Sequence, residues 1–202
     1  VAELWRILTS NIYHFDLYFN KAGFGSSDGF KIIDLRMNII PLSEGRFTID
    51  ATKIFQPFDP AIDDIRKRPS GSLLVEIQPF LIIMDKEVIL LDTGLGFETS
   101  NGILQIHQNM LNSDIDPASV TKVLLSHLHK DHAGGMMHNG RPAFPNAVYY
   151  INKNEMDFAI QKGKPSYTPE DFESISFLVV NPPIPLTFGS ISPFLDVFVF
   201  FP

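Results

Sequence analysis

Apolar residues recur in short strand-sized blocks through the first half of the chain and shift to helical spacing in the second. Blocks at 31–40 and 46–50 read as strands joined around Ser43-Glu44-Gly45. More strands follow at 73–78, 80–84 and 87–91, with Asp85-Lys86-Glu87 as the intervening turn. The period then changes: Ile103, Leu104, Ile106 and Met110 share one stripe if 101–110 is helical. Asp116-Pro117 predicts a helix start, because proline is tolerated where a first-turn N–H has no partner. Val123-Leu124-Leu125 and 147–151 predict two more strands. Asn152 to Gln161 predicts a helix closed by Gly163, and Thr168-Pro169-Glu170 opens another. The Pro-punctuated stretch 56–69 reads as a loop, either bordering a cleft or making an ordinary surface connection. Strands alternating with helices after a hairpin-rich start predict a layered α/β fold.

The two ends are different in character. Residues 1–30 are rich in aromatics and run into a turn-like Gly-Ser-Asp stretch at 23–29; Tyr13, Phe15, Tyr18 and Phe19 there suit core or dimer packing better than a substrate mouth. Residues 194–200 form an apolar, strand-like run with a single charge, a pairing hazard if left exposed.

Composition narrows the function. At 202 residues and 45% apolar the chain can bury a sizeable core as one domain spanning 1–202. The net charge of −7 argues against a polyanion binder, and Arg66-Lys67-Arg68 beside Asp63 and Asp64 reads as a solvated turn. With no cysteine, disulfides and thiolate-bound metals are excluded. No apolar run is long enough for a membrane span, and no signal peptide is visible, which favours the cytoplasm without fixing the compartment.

The densest chemistry lies in Ser126-His127-Leu128-His129-Lys130-Asp131-His132-Ala133-Gly134-Gly135, directly after the strand at 123–125. Imidazoles at i and i+2 of an extended segment project to the same side. Where the chain turns, a carboxylate and a further imidazole can converge nearby. Two nitrogens for one metal, and an oxygen plus a nitrogen for a second, is the natural reading, with zinc the ion these donors favour.

This H-x-H-x-D-H run resembles the signature of the metallo-β-lactamase superfamily, and Leu90-Leu91-Asp92-Thr93-Gly94 resembles the strand end that precedes the signature there. The likeness covers about residues 73–152. It implies an αββα sandwich in which His127 and His129 hold one zinc and Asp131 and His132 a second, with manganese or iron as alternatives. It further implies that Asp131 orients the attacking hydroxide and handles its proton, and that Asp92 accepts a hydrogen bond from a ligating imidazole rather than merely forming a turn. Gly134 and Gly135 would let the backbone pass close to the metals. The family's further ligands have no match, since His14, His107 and His138 stand elsewhere, although His138 could reach the cleft as a substrate contact. Pro202 falls where the family's next ligand-bearing element starts, so the chain reads as the N-terminal portion of a longer protein. The resemblance implies a metal-dependent hydrolase that opens a lactone or carboxylic ester, with a small-molecule substrate and no nucleic acid or membrane partner. Alternatives are a β-lactamase, thioesterase or organophosphate hydrolase, a nuclease, or a non-catalytic scaffold; a homodimer stays open.

Overall fold

The computed structural model describes residues 12–18 and 32–175. The expected turn at 23–29, the strand-like run at 194–200, and the surroundings of Tyr13, Phe15, Tyr18 and Phe19 lie outside the described residues or side chains.

Strand β1 (Ile12–Tyr18) pairs antiparallel with β2 (Ile32–Pro41). A second sheet is made by β3 (Gly45–Ile49), the two-residue β4 (Gln56–Pro57) and β5 (Leu73–Ile77), in the order β4-β3-β5. The chain then returns to the first sheet through β6 (Phe80–Ile83), β7 (Val88–Leu91), β8 (Lys122–Leu124) and β11 (Val148–Tyr150), giving the order β1-β2-β6-β7-β8-β11. The β9 (Met137–His138) and β10 (Arg141–Pro142) strands form a small hairpin beside it. β6 and β7 are antiparallel, whereas β8 runs parallel to both β7 and β11, so the ends of β7 and β8 emerge on the same edge.

Strand alternation explains the packing. Leu81, Leu90, Val123 and Tyr149 point to one face, into a core shared with Ile106, Met110 and Phe172 from the helices. Ile82, Ile89, Leu91 and Leu124 point to the other face, around Met37. A sheet apolar on both faces must be covered on both, and this is why these strands read as continuous rather than alternating apolar runs. The architecture is the layered α/β fold that the sequence predicts.

The described α-helices are α1 (Gln105–Leu111), α2 (Lys130–Ala133), α3 (Lys153–Lys162) and α4 (Pro169–Ile175). Asn152 caps α3 by accepting from the Asn154 N–H, and Gly163 ends it at φ 64°. Two expectations need correction. The helix at 101–110 begins only at Gln105, because Leu104 is held in a backbone bridge with Glu98. Asp116-Pro117 opens no α-helix but one 3-10 turn, Pro117–Ser119, whose cap Asp116 accepts from the Ala118 N–H. The turn is too short for a second ring of hydrogen bonds before β8 takes over. No described helix is long and apolar enough to cross a membrane.

Candidate metal centre

The signature lies where β8 leaves the sheet beside the end of β7. Leu128 turns into the core, 1% exposed, while its neighbours His127 and His129 share the opposite side. The Leu128 N–H donates to Glu155 Oε1 at 3.0 Å, tying the segment to α3. The His129 carbonyl accepts from the N–H groups of His132 and Ala133, and this single turn carries Asp131 and His132 round beneath the first two imidazoles.

Asp92 organises the cluster from the end of β7. Its backbone is left-handed at φ 58°, a conformation aspartate tolerates better than most residues. Oδ1 accepts from the Ser126 N–H at 2.8 Å, and Oδ2 from the Ser126 hydroxyl at 2.9 Å and from His132 Nδ1 at 2.8 Å. A carboxylate only accepts, so the proton of His132 sits on Nδ1 and its Nε2 lone pair is free. The Ser126 hydroxyl donates to Asp92 and so takes its bond from His127 Nδ1, 3.0 Å away, which leaves the His127 Nε2 lone pair facing His129 Nδ1.

Two donor pairs result. His127 Nε2 and His129 Nδ1 are 3.1 Å apart, and His132 Nε2 and Asp131 Oδ2 are 3.5 Å apart. Ligands about 2.0–2.1 Å from a tetrahedral zinc stand about 3.3 Å from each other, so each pair has the spacing of two neighbouring ligands of one ion. Among the described residues no group of three or more such donors is arranged to hold an ion. The donor chemistry and the spacing of each pair fit a divalent ion such as zinc.

Electrostatics distinguish the imidazoles. Burial, followed by the neighbouring rings of His132 and His129, holds the His127 pKa below the usual value. Burial is the largest influence on His132 too and acts to lower its pKa. The hydrogen bond and charge of Asp92, with the charge of Asp131, outweigh it and leave His132 above the usual value.

Several contributors were invisible in the sequence. Thr93 is fully buried and donates to the His132 carbonyl from both its N–H, at 2.7 Å, and its hydroxyl, at 3.1 Å. Tyr167 lays its ring 4.8 Å from that of His129. Position 126 was legible only as the residue before the motif; its bridging hydroxyl was not. Gly134 and Gly135 sit where two main-chain segments meet. A Cβ on Gly134 would meet the Leu95 carbonyl at 2.4 Å and one on Gly135 the Thr93 carbonyl at 2.2 Å, so these glycines let the two site-bearing segments interlock backbone to backbone. Gly135→Ala is expected to destabilise the protein by ~3 kcal/mol, read by urea unfolding, because the obstacle is main chain and cannot swing away.

Of the other histidines, His14 lies in β1, far along the sheet order from β7 and β8. His107 sits on α1 with its Nε2 buried and unpartnered by any described group, its ring edge-on to Phe144. His138 is in the β9–β10 hairpin and bonds Glu98 at 2.9 Å. Neither His107 nor His138 joins the cluster. The 56–69 loop does not border it either: the cleft beside His129 and Asp131 is walled by the 49–55 turn and β5.

A family model described as the metallo-beta-lactamase superfamily matches residues 76–189. A probable metal-dependent hydrolase from Staphylococcus aureus aligns at 20% identity and a TM-score of 0.54, over 74% of this chain and 61% of that one. AidC, a dizinc quorum-quenching lactonase solved with a product, aligns at 17% identity and a TM-score of 0.51, over 84% of this chain and 61% of that one. The chain thus spans about three fifths of the length of either. No curated protein matches it.

Proposed function

The chain belongs to the metallo-β-lactamase superfamily, and from that footing we propose that it carries zinc-binding residues of a hydrolase that opens a lactone or carboxylic ester. The observation that carries this reading is the pairing of donor atoms at ligand spacing, His127 Nε2 with His129 Nδ1 at 3.1 Å and His132 Nε2 with Asp131 Oδ2 at 3.5 Å. His127 and His129 would hold one zinc, Asp131 and His132 the other. When bound, the metals would supply Lewis-acid activation, bringing water's pKa towards about 7 and polarising the substrate carbonyl.

The chain's own residues do the rest. Asp92 and Ser126 fix the rings of His132 and His127 so that their donor atoms need no reorientation. Asp131, a ligand through Oδ2, would accept a proton from the attacking water at its other carboxylate oxygen and return it to the leaving oxygen. In the reaction the water oxygen bonds to the carbonyl carbon and the acyl C–O bond breaks. One proton ends on the leaving alcohol oxygen, and the other leaves with the new carboxylic acid.

Zinc titration of the metal-free chain, followed by a lactone and ester panel, tests the assignment. His127→Ala is expected to lose zinc from the first pair, and Asp131→Asn to lower kcat by roughly 10²–10⁴-fold. Undiminished zinc uptake in both variants would remove the proposal.

A further inference from the structure

The loop between β2 and β3 sends a carboxyl group to the place where the two site-bearing segments interlock. Glu44 is fixed on its own side. Its N–H donates to the Ile77 carbonyl at 2.8 Å, and the neighbouring Ser43 carbonyl accepts from Asn109 of α1 at 2.7 Å. The side chain crosses to the segment after β7, where Oε2 accepts from the Leu95 N–H at 2.7 Å. There the carboxyl group fills the space that a Cβ on Gly94 would take, and Oε1 is buried with no described partner. The donor cluster leans on this same segment. Gly94 forms a parallel backbone bridge with Ala133, and its carbonyl accepts from the Gly135 N–H at 3.3 Å. The Thr93 N–H reaches the His132 carbonyl. Leu95 stands between Gly94 and Gly96, at φ 70° and 71°, so the backbone on either side of the Glu44 contact is of the kind that swings readily.

The contact suits one protonation state. As a neutral acid Glu44 satisfies Leu95 and buries no charge. As a carboxylate it holds a charge against main chain, with one oxygen cut off from water and from any described donor, and that is far more costly. Burial accordingly pushes the group up to about 7, opposed only by the Leu95 bond. The charged and titratable groups on the surrounding elements are engaged elsewhere. Arg46 of β3 pairs with Glu76 of β5 at 3.4 Å, and Glu98 pairs with His138 at 2.9 Å. Asp92 serves Ser126 and His132, and His107 of α1 turns its ring to Phe144.

We propose that Glu44 is a proton-operated latch on the donor cluster: as the neutral acid it holds residues 93–96 against 132–135, and as the carboxylate it moves out to water and lets the two segments part. The inference rests on the zinc-centre reading for what the latch regulates, which is the grip on the metal. Glu44 touches no donor atom and acts through the backbone of Gly94 and Leu95, as a positioning residue.

The test compares the full chain with its Glu44→Gln variant, which keeps an acceptor for Leu95 and cannot ionise. Amide hydrogen exchange of both metal-free proteins is followed residue by residue by NMR between pH 6 and pH 8, corrected for the intrinsic rate. In wild type at pH 8 the Thr93, Leu95 and Gly135 amides are expected to exchange faster than the core amides of β7 and β8, through a local opening. Their protection should be lower than in Glu44→Gln by about tenfold or more at pH 8, and equal to it at pH 6. Competitive zinc titration should show wild type binding about fivefold or more weakly than the variant at pH 8, and equally at pH 6, because only the closed form grips the metal. Site amides that exchange only together with the core, or alike in the two proteins, overturn the latch. So does a Glu44-dependent opening that leaves zinc affinity the same in both proteins at pH 8. If neither protein binds zinc at either pH while the opening still depends on Glu44, the latch stands and the zinc-centre reading falls.

Discussion

Asp92→Ala is expected to weaken zinc binding by 10–100-fold and to cost the metal-free protein about 2–3 kcal/mol of stability. Three donors lose their acceptor at once: the Ser126 N–H, the Ser126 hydroxyl and His132 Nδ1. Alanine would also have to hold the left-handed backbone at φ 58°. The side chains of Asp92 and His132 are 20% and 35% exposed, so water can recover part of the loss, which keeps the figure below the sum of three fully buried bonds. Asp92→Asn separates the two effects. Asparagine tolerates the backbone and can still accept from the Ser126 N–H, but its amide would face His132 Nδ1 with hydrogens. A ring tautomer presenting Nε2 as a donor atom is then no longer favoured. Stability should therefore fall less than in the alanine variant, while zinc affinity falls comparably. Competitive zinc titration and urea unfolding read the two quantities separately, and zinc affinity unchanged in both variants would dismiss the orienting role of Asp92.

Glu44 is expected to make the folded protein lose stability as pH rises from about 4.5 to about 7. Burial pushes its carboxyl up to about 7, opposed only by the hydrogen bond it accepts at Oε2 from the Leu95 N–H. The other oxygen, Oε1, is buried with no described partner, and both oxygens lie flat against Gly94. An acid whose pKa is higher folded than unfolded binds its proton preferentially in the folded state. Its contribution is therefore complete below about pH 4.5 and lost as pH climbs through about 7. Glu44→Gln keeps the shape and an acceptor for Leu95 but cannot ionise. At pH 8 the variant should be more stable than wild type by about 1–3 kcal/mol, and at pH 4 the two should nearly coincide. Urea unfolding across pH 4–8 checks this; parallel curves for the two proteins would show that Glu44 does not titrate in that window.

The parts of this structure that were legible in the sequence are those in which cause and consequence lie within a few residues. Asn152 and Gly163 bracket α3 because a cap acts on the adjacent turn. His127, His129, Asp131 and His132 come together because a strand end followed by one helical turn is enough to gather them. Asp92 was legible because its Thr-Gly context is distinctive. Other features depended on partners chosen at long range. A block such as 73–77 declares a strand but not its sheet, and β5 leaves the main sheet to join β3. Tyr167 and Ser166 reach the site from beyond α3, with nothing in their neighbours to announce it. Gly134 and Gly135 were read correctly as sites of close approach, but what approaches is the main chain of 93–95.

That the apolar wall of the cleft and the donor cluster sit on separate sheets makes them independently editable. The turn at 49–55 hangs between β3 and the short β4, away from the interlocked segments that shape the donor cluster. Under the proposed hydrolase reading, exchanging that turn for loops of other lengths and chemistries should therefore retune what the protein accepts while sparing the donor cluster. A library diversified there is the natural starting point for redirecting its chemistry to new molecules.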